Sequence, residues 1–389
     1  MTAAGLPRAA AHRIACAIVA TEVRRLRDTP MPPRVDGSWP EAMPIGEEGL
    51  GLDSLEQLGA LGALAEAFAL DDGLLDAAPP RDVAAWIDWI MAGQAAGDGR
   101  MTVRTSGSTG TPRSCVHATS DLLDEAASLA ALFSDRRRVV ALVPSDHLYG
   151  MIWTALLPGL LGVPVVVRTL GASLSLGAGD LVVAVPEQWQ AMSRLIRRFP
   201  DDVVGVSSAG TLDDAVANAV LTSGLLRLVD VYGSSETSAI AIRDAPAAAY
   251  ELLPRWRLVA QSDGDWQLVD RDGAIHPLPD HVERTGDRAL RLLGRRDGAV
   301  QVAGQNVWPE RVAETLRGVD GVAEAAVRFH ATGRLKAFIV PHAGVGPGDL
   351  AVVLERVAAA RLTRHERPKN YRFGATLPRN AMGKLEDWA

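Results

Sequence analysis

Apolar positions recur every three or four residues in three early stretches, and then give way to short apolar runs. The first amphipathic stretch covers 14–26. Behind it Pro30, Pro32, Pro33, Pro40 and Pro44 fix φ and remove backbone donors, so a long irregular loop is expected. A second helix is expected to start at Ser54, with Asp53 as N-cap and Glu56 three residues on, a capping-box arrangement. Its Leu55, Leu58, Leu61, Ala65 and Phe68 predict one buried face. A third helix, 81–91, puts Val83, Trp86, Ile87 and Ile90 on one side, and MAGQAAGDGR (91–100) reads as a Gly/Ala linker.

From 101 to 296 the pattern changes to short apolar strands between helices, with strand candidates at 139–143, 163–167, 181–185, 203–206 and 228–231. Such alternation predicts an α/β sheet. From 298 to 389 a smaller α+β unit is expected, with strands at 299–302, 325–329 and 336–340 and helices at 309–317 and 347–361. The expected fold class is therefore multi-domain: an all-α segment over 1–95, an α/β core over 101–296 and a small α+β subdomain over 298–389.

Composition narrows the partners. At 389 residues the chain has room for two or three domains, and 48% hydrophobic with 22% charged residues is ordinary for a globular protein. A net charge of −7 without a long basic run argues against nucleic acid or an anionic membrane as partner; Arg136, Arg137 and Arg138 form only a short cluster. Two distant cysteines, Cys16 and Cys115, fit a reducing cytoplasm and exclude a cysteine-built metal site. Pro7, Arg8, His12 and Arg13 break the N-terminal apolar stretch, so no signal peptide is expected, and no run is long enough to span a membrane.

The most informative string is TSGSTGTPR, Thr105, Ser106, Gly107, Ser108, Thr109, Gly110, Thr111, Pro112 and Arg113, which follows the strand candidate MTVR. Glycines let backbone N–H groups close around an anion, hydroxyls add donors, and a terminal cation offsets phosphate charge. The Walker pattern does not fit, and a flexible linker has no reason to end in Pro-Arg. This string resembles the phosphate loop of the adenylate-forming superfamily: acyl- and aryl-CoA synthetases, peptide-synthetase adenylation domains and luciferases. Arg113 stands where that family usually has Lys, which keeps the charge and changes its shape.

Further motifs follow in the family's order. VYGSSET (231–237) resembles its YGxTE motif. The resemblance implies that Tyr232 stacks on adenine beside Gly233, that Ser235 touches the α-phosphate and that Glu236 holds Mg²⁺ and serves catalysis. The other reading of Ser235 with its acidic neighbour is a capped helix start. SSAGTL (207–212) resembles the small-residue segment lining the adenine and acyl pockets, with Ser208 and Gly210 against the ligand; an ordinary strand-to-helix turn would look similar. RTGD (284–287) matches TGD, implying that Asp287 accepts from both ribose hydroxyls. GRRDG (294–298) matches GRxD, implying nucleotide contact by Arg295 and a domain hinge at Asp297. In the following strand and loop Gln301 replaces the usual Lys. PRNAMGK (378–384) matches the C-terminal PRTxxGK loop, which makes Lys384 the expected catalytic lysine. His147 sits where the family has a residue gating the acyl pocket. The amine-binding Asp of amino-acid-activating members is not carried over to Asp146, so an aryl or fatty acid is the favoured substrate. Trp153 and Trp189 are core residues or pocket walls.

The resemblance covers 101–389 and lacks the family's usual large N-terminal subdomain, so the adenylation unit reads as truncated. Residues 1–95 resemble instead a four-helix acyl or peptidyl carrier protein: GLDSLE (51–56) matches GxDSL, whose Ser, here Ser54, would receive 4′-phosphopantetheine at a helix N-terminus. Asp53 and Ser54 also suffice as a plain helix cap. The implied chemistry is activation of a small-molecule carboxylic acid with ATP and Mg²⁺ as acyl-AMP, then transfer to a thiol. That thiol is pantetheine on Ser54, supplied by a phosphopantetheinyl transferase, a separate acyl carrier protein or polyketide/peptide synthase, or CoA. The rivals are a CoA ligase with an unmodified helical appendage, and a non-catalytic carrier or scaffold with a decayed adenylation domain.

Overall fold

A computed structural model of the chain describes residues 5–27, 31–32, 34, 36–71, 79–97, 99–104, 114–261, 265–296, 298–303, 305–330, 332–379 and 385–388. The segment 5–97 holds three α-helices among the described residues: α1 (Arg8–Leu26), α2 (Ser54–Phe68) and α3 (Val83–Ala96). The capping box forms as expected: Asp53 Oδ1 accepts from Glu56 N at 2.8 Å, and Glu56 Oε2 accepts from Asp53 N at 3.0 Å. Two expectations need correction. The buried face of α2 is Ala60, Leu64 and Phe68 with Glu56, while Leu55 and Leu58 are 68% and 66% exposed. SLEQLGALGAL is apolar on most of its circumference, so spacing alone cannot fix which stripe turns inward. The stretch 91–100 is not a linker: α3 continues through Ala96, because its alanines and Gln94 are compatible with helix and Gly93 closes against Leu70.

The strands that follow are β1 (Arg100–Arg104) and β2 (Ser114–Ala118), an antiparallel pair, and then α4 (Thr119–Leu132). Next come β3 (Arg138–Ala141), α5 (Leu148–Met151), a π-helical turn (Ile152–Leu156), α6 (Leu157–Leu161) and β4 (Val165–Val167). The series goes on with β5 (Asp180–Ala184), α7 (Pro186–Leu195), β6 (Val204–Ser207), α8 (Asp214–Thr222), β7 (Arg227–Ser234), β8 (Ser238–Asp244) and β9 (Tyr250–Leu252). A three-stranded sheet of β10 (Arg257–Ala260), β11 (Trp266–Val269) and β12 (Ile275–His276) precedes the β13 (Asp280–Arg284) and β14 (Ala289–Arg295) pair. The main sheet runs β13-β14-β9-β8-β7-β6-β5-β3-β4. β4, β3, β5, β6 and β7 are parallel neighbours, and pairing turns antiparallel from β7 onward to β8 and β9. β5 and β6 are buried at every position, as continuous apolar strands covered on both faces should be. Trp153 and Trp189 lie in this core, at 1% and 0% exposure.

Among the described residues the chain forms two compact units, the first taking in 5–104, 114–278 and 283–291, the second 279–282 and 292–388. The helices of 5–97 belong to the first unit. Pro7 and Ala10 pack on Gly159 of α6, Thr21 Oγ1 donates to Asp146 at 2.6 Å, and Arg104 of β1 pairs with Glu66 of α2. The second unit adds β15 (Val300–Val302), β16 (Gln305–Val307), α9 (Pro309–Arg317), β17 (Val322–His330), β18 (Arg334–Pro341), α10 (Pro347–Arg361) and β19 (Asn370–Phe373). Its core joins Val312, Leu316, Ile339, Leu350 and Leu354. No helix among the described residues is long and apolar enough to cross a membrane.

Candidate nucleotide site

The carboxyl ends of parallel strands are where open α/β sheets hold ligands, especially where strand order or direction changes. Two sequence motifs meet there. Ser207 ends β6, and Ser208 Oγ donates to Val231 O of β7 at 2.9 Å, one residue before Tyr232. Ala209 carries φ +64°, a strained left-handed conformation for a residue with a Cβ, so the backbone turns sharply just before Gly210. Tyr232 is buried on β7 with its ring edge-on to Tyr250, at a centroid distance of 5.9 Å. Behind Tyr250 a buried network fixes the strands: Tyr250 OH donates to Asp230 at 2.6 Å, and Arg243 Nε donates to the same carboxylate at 2.9 Å. Burial pushes the Asp230 carboxyl up, against the pull of both donors.

The segment from Gly233 to Ser238 is the tip of the β7–β8 hairpin, so the capped-helix reading of Ser235 and Glu236 is replaced by a β-turn. Gly233 is required: a Cβ there would lie 2.2 Å from Ser238 O. Ser234 Oγ and Thr237 Oγ1 bond across the turn at 3.0 Å. Ser235 is half-buried. Glu236 is exposed, with no hydrogen-bond or ion-pair partner among the described residues. An unengaged carboxylate of this kind suits Mg²⁺, which takes one or two carboxylates and fills its remaining positions from phosphate and water. No group of three metal-ligating side chains occurs among the described residues.

His147 is exposed and precedes α5, in which Gly150 approaches Pro144 O so closely that a Cβ would lie 1.7 Å away. Two residues on from His147, Tyr149 OH sits 3.0 Å from the carbonyls of Ala184 and Val206, tying α5 to the ends of β5 and β6. Burial raises the Tyr149 hydroxyl well above its ordinary pKa. Sequence reasoning passed over Tyr149; its position between two motif segments was the available signal. A π-helical turn follows directly, a feature frequent at functional sites.

Asp287 is exposed in the β13–β14 connection and pairs with Arg284 at 3.1 Å. In the second unit, Arg295 ends β14, and Gln301 pairs with Asn306 across the β15–β16 hairpin, which occupies the position of the expected Lys with a local hydrogen bond. The loop residues 105–113, the hinge Asp297 and the catalytic candidate Lys384 lie outside the described residues. The flanks of Lys384 are held firmly: Arg379 bridges Leu385, Glu386 N donates to Pro378 O at 2.8 Å, and Lys336 pairs with Asp387 at 2.9 Å and with the Trp388 carbonyl.

Ser54 is the exposed first residue of α2. Glu56, which completes the cap beside it, is buried and also pairs with Arg27 of the first unit at 3.1 Å.

Residues 96–282 match the family described as AMP-binding enzyme. The chain is similar to a 4-coumarate–CoA ligase of Rhodobacter capsulatus, 36% identical over 394 residues, covering 97% of this chain and 99% of that protein. It is also similar to a 4-coumarate–CoA ligase of Halorhodospira halophila, 36% identical over 358 residues, covering 88% and 89%. Among solved structures, o-succinylbenzoate CoA synthetase of Bacillus subtilis with a product analogue matches at TM-score 0.57 and 20% identity, covering 73% of this chain and 67% of that one. A malonyl-CoA ligase with methylmalonyl-CoA and AMP matches at 0.53 and 22%, covering 72% and 71%. These structural matches bear on the fold.

Proposed function

The chain belongs to the AMP-binding, adenylate-forming enzymes and is an acid–thiol ligase; from that premise we propose that it converts an aromatic carboxylic acid to its acyl-adenylate and then to the coenzyme A thioester. The observation that carries this reading is the match along 97% of the chain to a 4-coumarate–CoA ligase, which takes in most of the N-terminal helices as well as the motifs. A carrier-like role for 1–95 has less support. Asp53 and Glu56 close a capping box, and α2 packs within the first unit against α1 and β1.

In this reading the adenine rests on Tyr232 beside Ser208 and Gly210, and Asp287 accepts from the ribose hydroxyls. Ser235 and the 105–113 loop hold the phosphates, with Arg295 as a further nucleotide contact. Glu236 would hold Mg²⁺, which supplies charge neutralisation on the phosphate oxygens. The acid lies towards His147 and Gly210, and its carboxylate oxygen attacks the α-phosphorus while pyrophosphate leaves. Lys384 stabilises the charge that builds in that step. The second unit then turns about Asp297, the thiolate attacks the acyl carbonyl, and AMP departs.

The test is incubation of the full chain with ATP, Mg²⁺, CoA and a panel of acids including 4-coumaric acid, followed by product mass. Aryl-CoA is expected, with no pantetheine mass on Ser54 after treatment with a phosphopantetheinyl transferase. ATP–pyrophosphate exchange without any acyl-CoA, together with a modified Ser54, would overturn the choice of acceptor. Lys384→Ala is expected to slow adenylation by about 10²–10³-fold, the usual cost of removing one transition-state donor.

A further inference from the structure

Two side chains outside all of these motifs reach the β7–β8 turn from behind. His117, on β2, is buried, and its Nε2 lies 2.8 Å from Ser235 O. A carbonyl only accepts, so Nε2 carries the proton and donates it. Glu125, on α4, is 3% exposed. Its Oε1 accepts from Ser238 Oγ at 3.0 Å and from Ala239 N at 3.4 Å. Ser238 is itself left-handed, at φ +59°, a conformation a serine holds only when its surroundings impose it. The residue before Glu236 and the second residue after it are thus each tied to a buried partner.

We propose that His117 and Glu125 are positioning residues that hold Ser235 and Glu236 in the geometry needed to bind Mg·ATP. This rests on the reading of Ser235 and Glu236 as the phosphate and metal contacts. A buried carboxylate is a costly means of closing a hairpin: Glu125 Oε2 has no hydrogen-bond partner among the described residues, so half its acceptor capacity is unused. Its bond from Ser238, strengthened when the carboxylate is ionised, offsets part of that cost.

The charged surroundings of the pair are few. Glu125 faces Arg255, from the loop after β9, and Asp121, one turn back on α4; Arg255 and Asp121 pair at 3.2 Å. His117 senses the same two groups and Glu236. Burial pushes the Glu125 carboxyl up to about 7, with its bonds from Ser238 and Ala239 and the Arg255 charge opposing. Burial pushes His117 down, disfavouring its charged form. Near pH 7 Glu125 changes charge behind the turn, and its ionised form is the better acceptor.

The experiment is calorimetric titration of the full chain with Mg·ATP at pH 6, 7 and 8, and with ATP plus EDTA as reference, with melting curves for every variant. Glu125→Ala and His117→Ala are expected to weaken Mg·ATP about tenfold, the scale of one lost buried hydrogen bond, and to weaken metal-free ATP, which meets Ser235 but not the metal at Glu236, by less. Wild-type affinity should strengthen from pH 6 to 8. Glu125→Gln, which keeps an acceptor oxygen but no charge, should recover most of the affinity and flatten that pH dependence. Glu236→Gln separates the two layers. If it loses Mg·ATP affinity while folded Glu125 and His117 variants bind like wild type at every pH, the positioning role is overturned and the site reading stands. If Glu236→Gln binds Mg·ATP like wild type, the site reading fails and the inference with it. Should the alanine variants not fold, the Glu125→Gln pH profile decides alone: a profile identical to wild type overturns the proposal.

Discussion

Glu125 has a thermodynamic consequence independent of any ligand. Its folded pKa, about 7, lies above the ordinary 4.5 of a glutamate, so between those values the folded protein binds more protons than the unfolded chain. A carboxyl shifted in this direction contributes stability that is complete below pH 4.5 and lost as pH rises through 7. The ceiling of the loss is on the order of 3 kcal/mol, one pKa unit being 1.36 kcal/mol. Glu125→Gln is therefore expected to melt higher than wild type at pH 8 and like wild type at pH 5. Equal melting at both values would mean the carboxyl is not desolvated as its burial implies. A side chain that lowers stability at neutral pH is a candidate for function. Nothing in DLLDEAASL (121–129) marks Glu125, which reads as an ordinary helix-surface charge; only the fold, bringing β8 against α4, gives it that role. The motif that puts forward Tyr232, Ser235 and Glu236 is local, whereas His117 sits 118 residues from the carbonyl it bonds.

Helix α2 separates what pattern can and cannot determine. Its start was readable, because a capping box is a four-residue chemical arrangement that needs no tertiary context. Its rotation was not, because two registers of the same leucine-rich sequence offer apolar stripes, and packing on α1 and β1 chose Ala60, Leu64 and Phe68. Leu64→Ala should therefore cost about 2–5 kcal/mol, the usual range for a buried leucine, while Leu58→Gln should stay within about 0.5 kcal/mol of wild type. Denaturant unfolding of both variants checks this, and a larger loss at Leu58 would place the other stripe inside. The parallel strands β3, β5, β6 and β7 were easier to read, since a strand buried on both faces has no phase to assign. The helix α3 runs past its expected end through Gly93 and stops at the C-cap Gly97, so a single glycine in an alanine-rich stretch does not mark a linker.

Whether 5–97 is a separable domain or part of the ligase is a question about cooperativity. An independent carrier domain would carry its own closed core and meet the rest through a thin, polar contact. The described helices do otherwise: α1 packs on α6 and the π-helical turn, α2 packs on β1, Ser145 Oγ donates to Arg13 O at 3.2 Å, and all fall in one compact unit with strands β3–β9 of the main sheet. Removing 1–97 would strip the cover from Gly159 and from the Asp146 carboxylate that Thr21 caps, beside the α5 segment carrying His147 and Tyr149. The truncated chain is expected to lack a cooperative melt and to lose ATP–pyrophosphate exchange. In the intact chain, Trp39 and Trp86 should lose their buried environment in the same transition as Trp153, Trp189 and Trp256. Single-tryptophan variants followed by fluorescence during heating measure this directly. Two resolved transitions, with an active truncated remainder, would return 1–95 to the status of an appended domain and reopen Ser54 as an acyl acceptor.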